Sequence, residues 1–129
     1  QPGIATSFYN KKIEAIKDTL YCNSISDEQI HGIRKSIKDI LYIKKLATVY
    51  TDYDVYFGKY KTFTEGEQLA CELGQINDLC TALDFLEPSR LDKITTQEIT
   101  QLASLRQQCY NNKELLKASV LKKLIELYL

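Results

Sequence analysis

Methionine and tryptophan are missing from this chain, glycine occurs five times and proline twice, and no run of twenty apolar residues exists. Each shortage narrows the possibilities. Without a long apolar run there is no membrane-spanning helix to expect, and the chain reads as soluble, with no membrane insertion. Few helix breakers leave long stretches free to coil without interruption. The lack of an initiating methionine before Gln1 reads as a mature product whose leader has been removed, or as an excised piece. No Asn-x-Ser/Thr acceptor is present, so N-glycosylation lends nothing to an exported reading.

Net charge is missing too. Seventeen basic residues balance seventeen acidic ones, so no global field draws the protein to nucleic acid or to an anionic membrane. The balance is segregated, however: residues 1–62 carry ten basic against seven acidic groups, 63–93 two against seven, and 94–129 five against three. An acidic third segment between basic neighbours favours packing of unlike charges, although exposed pairs add little stability.

What is present is helical periodicity. In 129 residues, the size of one domain, 44% are hydrophobic. Tyr9, Ile13, Ile16 and Leu20 predict a first helix over roughly 5–21, with Pro2 and Gly3 disfavouring an earlier start. Ser26 and Gln29 form a capping box that opens a second helix, which the sequence allows to run from about Asp27 to Tyr60. Its apolar residues change sides: Ile30, Ile33, Ile37 and Ile40 share one face, while Leu46, Tyr50, Tyr53, Phe57 and Tyr60 share another. Either the helix is continuous with a middle buried all round, or it breaks near Thr48; no Gly or Pro marks such a break, which favours continuity. The first half then needs a cover, from the first helix or from a second copy.

Thr64 with Glu67 caps a third helix carrying Leu69, Leu73, Ile76, Cys80 and Leu83 and stopped by Pro88. Thr95 with Glu98 caps a fourth, whose stripe of Ile99, Leu102, Leu105, Cys109, Leu116, Val120, Leu124 and Leu127 holds its phase through Asn111 and Asn112. No segment has a convincing strand period. The expectation is an all-α single domain over 1–129, an antiparallel bundle of about four helices with the second and fourth long.

Groups able to carry chemistry are few. Cys22, Cys71, Cys80 and Cys109 show neither Cys-x-x-Cys nor zinc spacing, so no metal site and no cofactor are expected. Four cysteines in a small domain point toward a secreted or periplasmic protein. Disulfides are the expected use, Cys80 with Cys109 first and Cys22 with Cys71 second; the competing reading is four buried thiols. The single histidine, His31, lies near Asp27 and Glu28 and reads as a surface residue favoured by acids. Asp52 and Asp54 lack the remaining ligands of a calcium loop. Arg34, Lys35, Lys38, Lys44 and Lys45 surround Tyr42 without all sharing one face, and with Asp39 among them, so nucleic acid is not an expected partner.

The most distinctive group is aromatic: Tyr42, Tyr50, Tyr53, Tyr56, Phe57 and Tyr60, followed by Phe63. Tyrosine keeps a polar tip, which suits a half-wet interface better than a dry interior. These residues motivate the expectation of a non-enzymatic, exported or surface-associated module that binds a protein partner, or itself as a homodimer. The alternative is a carrier of an apolar small molecule between helices.

Overall fold

The computed structural model describes the backbone of residues 2–50, 63–90 and 95–129 and the side chains of 7–46, 66–90 and 95–129. Four helices make it up: α1 (Pro2–Leu20), α2 (Asp27–Tyr50), α3 (Phe63–Phe85) and α4 (Thr96–Tyr128). Among the described residues a 3-10 turn, Pro88–Arg90, follows α3. Each helix packs on the next, and α4 returns to α1, closing a four-membered ring. Two ion pairs fix the direction of α3 against α4, Glu72 with Lys123 at 2.7 Å and Glu87 with Arg106. Arg34 lies by Gly74 while Lys45 and Glu67 line one groove across α2 and α3, and a six-residue connection joins α1 to α2, where Lys12 meets Asp39 at 2.9 Å. Positions ascending on one helix thus match positions descending on the next, and the bundle is all-α and antiparallel.

Local sequence accounts for the helix ends. Before α2, the Gln29 N–H donates to Ser26 Oγ at 3.1 Å and the Ser26 N–H donates to Gln29 Oε1 at 2.8 Å, so the capping box forms in full. At α4, the Glu98 N–H donates to Thr95 Oγ1 at 3.2 Å. Two expected boundaries move. Pro2 begins α1 rather than delaying it, because a proline at the first helical position gives up an N–H that has no intrahelical acceptor. Thr64 falls inside α3, which already starts at Phe63.

The core is built from one stripe per helix: Tyr9, Ile13, Ile16 and Leu20; Ile30, Ile33, Ile37 and Ile40; Leu69, Leu73 and Ile76; Val120, Leu124 and Tyr128. Fully burying each Ile or Leu stabilises by about 1.5–3 kcal/mol before entropy is counted. The isoleucine face of α2 is therefore covered within one chain, and no remainder of it is left for a second copy. The buried row of α2 continues to Lys44, which is 1% exposed, on the side of the isoleucines; the second face expected from Tyr50 onward lies outside the described side chains. Tyr42 and Leu46 stand in solvent, so the middle of α2 is not buried all round. The part of the second helix expected over 51–60 lies outside the described residues.

Helix α4 is continuous through Asn111 and Asn112, but its first half does not join the core. Ile99 and Leu105 are exposed, Leu102 and Cys109 half-buried, and the first buried position is Lys113. The reason is register: with Glu87 beside Arg106, α3 has already ended where the opening turns of α4 begin.

Candidate functional site

On the side of α2 that meets α3, Arg34, Lys38 and Lys45 recur at i, i+4 and i+11 and make a row of cations. Leu41 lies among them, and Glu67, Ala70 and Cys71 of α3 form the opposite wall. The groove has a volume of about 450 Å³ and is open to solvent. Arg34 reaches across toward α3, where a Cβ added to Gly74 would lie 3.6 Å from its Nε. That Nε is buried and has no hydrogen-bond partner. Among the described residues, none of Arg34, Lys38 and Lys45 enters an ion pair.

The five basic residues of this stretch therefore divide. Lys44 turns into the core and Lys35 stands in solvent away from the groove. Asp39, a neighbour in sequence, faces α1 and is engaged by Lys12. Glu67 is then the one acid among the described lining residues. The i, i+4, i+11 spacing was the signal that could have singled out these three cations.

Tyr42 forms part of the groove wall and is 69% exposed; Leu46, one turn further, is 54% exposed. Tyr50 ends α2, with its side chain outside the described residues, as are Tyr53, Tyr56, Phe57 and Tyr60 altogether. Of the expected aromatic face, Tyr42 alone has a described side chain.

A second cluster sits at the other end of α2, across from α4. Lys113 donates to Asp27 Oδ2 at 2.7 Å and Lys117 to Asp27 Oδ1 at 3.2 Å. Burial pushes the Asp27 carboxyl up, but the hydrogen bonds and charges of the two lysines outweigh it and hold the group below its ordinary range. Two hollows of about 270 and 340 Å³ meet at Asp27 and Cys80; His31 lines the first, with its Nδ1 buried and without a hydrogen-bond partner, and Asp84 and Glu87 line the second. Burial, followed by the Asp27 carboxylate, pushes the Cys80 thiol up. It stays protonated at neutral pH and is a poor nucleophile there.

The structure holds all four cysteines as free thiols, and neither expected bridge is formed in it. Cys22 accepts from Gln29 Nε2 at 3.8 Å near the start of α2, whereas Cys71 faces Leu41 and Tyr42. Twelve helical residues separate Gln29 from Leu41, about 18 Å at ~1.5 Å per residue, well beyond the reach of a disulfide. Cys80 stands level with Lys113, whose charge it feels, one turn past Cys109 on α4.

Among the described residues, no group of three or more His, Cys, Asp or Glu is placed to hold a metal ion. No described helix is long and apolar enough to cross a membrane. What the fold defines is a class, the all-α antiparallel bundle with a charged groove on one side. Comparison with known proteins goes no further: no family model, no curated protein and no solved structure matches the chain.

Proposed function

We propose that this chain is a non-enzymatic interaction module that docks a protein partner on the outward face of α2. The observation that carries this reading is the exposure of Tyr42 and Leu46, two large side chains one turn apart on a helix whose opposite face is fully buried. They stand beside a groove with an apolar floor, and a tyrosine that is apolar along its ring and polar at its tip is suited to such a boundary. Tyr50, Tyr53, Tyr56, Phe57 and Tyr60 belong to the same proposal on the strength of the sequence alone.

The described grooves open to solvent and have charged rims, which suits a docked chain better than an apolar small molecule. Export or surface association, expected from the cysteine content, belongs to the same proposal, and the binding reading does not depend on it.

The test is affinity purification from the source organism with wild type, the Tyr42→Ala/Leu46→Ala double variant, and Leu115→Ala as a control at an exposed site on α4. The expected result is a protein recovered with wild type and control and reduced about tenfold or more by the double variant, with helicity and melting unchanged. Equal recovery by all three, or a double variant that fails to fold, counts against the proposal.

A further inference from the structure

The groove beside Tyr42 carries more information than an exposed face alone. The chain as a whole is neutral, yet Arg34, Lys38 and Lys45 are gathered on one edge without a described counter-ion. They span about 16 Å of helix at ~1.5 Å per residue, a distance that three turns of a partner helix match. Among the described residues the Arg34 Nε has no hydrogen-bond partner; it is covered against α3, which leaves the terminal N–H groups of the guanidinium to meet an incoming acceptor. A carboxylate is the acceptor that a guanidinium engages best, through two parallel hydrogen bonds.

Resting on the proposed binding role, we infer that the groove between α2 and α3 takes an acidic segment of the partner protein. Its carboxylates lie along Arg34, Lys38 and Lys45, and one apolar side chain sits on Leu41 and Ala70. Glu67 on the facing wall repels carboxylates, so the acidic edge of the segment is turned to α2 and its orientation is set. One narrow row of three cations on a neutral molecule suits a peptide better than a nucleic acid, whose phosphates ask for a broader basic surface. The same chain neutrality gives little long-range pull toward an anionic bilayer.

The experiment selects random 16-residue peptides displayed on phage against the full chain and compares the survivors on Lys38→Glu/Lys45→Glu and on Lys122→Glu, a charge reversal on α4. Circular dichroism and thermal melting establish that each variant is folded. The expected outcome is enrichment of acidic peptides containing Leu or Phe that bind the double reversal about tenfold or more weakly, bind Lys122→Glu as wild type, and weaken as salt is raised. Neutral or basic winners, equal binding to the double reversal, or no winners at all would overturn the inference. Winners that need Tyr42 but show no acidity would leave the interaction face standing and sink the acidic segment alone. Oligodeoxythymidine and phosphatidylserine vesicles are run as competing probes; either of them binding in place of acidic peptides, with loss on charge reversal, also overturns it.

Discussion

Asp27 ties α2 to α4 while remaining about one-third exposed, and its partner Lys113 is nearly buried. Removing the carboxylate leaves an ammonium in a dry place without its counter-charge. We expect Asp27→Asn to lower stability by about 1–2 kcal/mol at neutral pH, less than for a wholly buried pair because water reaches the site. The carboxyl is held below its ordinary 3.8, so its contribution is present above that value and is lost as pH falls through the folded-state value. Burial alone would lower Lys113, but Asp27 raises it above its ordinary 10.5, so that contribution is present below 10.5 and is lost as pH rises beyond it. Urea denaturation should therefore show a constant gap between wild type and variant from roughly pH 5 to 9, closing as the solution is acidified below about 4. A gap that widens in acid would contradict this account. None of it was legible in sequence, where Asp27 stands beside Glu28 and near His31. The lysines that engage it are 86 and 90 positions away, and no local spacing signals such a pair.

Whole helices were far more readable, because their signals are short. The Ser26 and Gln29 box involves four consecutive positions and formed as expected, and the stripe of α1 needed only the 3.6-residue period. What periodicity could not supply is how much of a stripe finds a neighbour. On α4 the phase is kept from Ile99 onward, but burial starts at Lys113, since that depends on where α3 stops. On α2, Leu46 looked like the first member of a second face, yet Lys44 continues the buried row and Leu46 is left outside. Apolar character alone did not reveal which direction the core takes. One helix position invites a direct check. Gly32 lies inside α2 with nothing within 4 Å of where a Cβ would be. Gly32→Ala should stabilise the protein by about 0.5–1 kcal/mol through helix propensity, read as a higher thermal midpoint by circular dichroism. A lower midpoint would mean that this surface of α2 is already occupied.

For the molecule as a whole, segregated charge was visible in the sequence and only half of its consequence was. The acidic α3 and its exit do meet basic α4 through Glu72 with Lys123 and Glu87 with Arg106, as the balance of segments suggested. Toward α2, the cations line a groove instead of closing on α3, and that asymmetry depends on side-chain direction. The thiols offer a reading of the α1–α2 connection, α3 and α4 together. Iodoacetamide added to native protein without reductant should modify Cys22 and Cys71 first, Cys109 later and Cys80 last, since Cys80 is half-buried and held protonated. Denatured, unreduced protein should take up four labels by intact mass; fewer would reveal bridges absent from this structure. The long α4 has a consequence of its own. Fully buried only from Lys113 onward and flanked by the end of α3 only from Arg106, it extends about 15 Å of helix at ~1.5 Å per residue beyond the strap at Glu87, a stretch held mainly by its own turns. On warming, that projecting arm unwinds ahead of the rest, so loss of ellipticity begins before the isoleucine interior opens, and a single midpoint describes only the gripped portion.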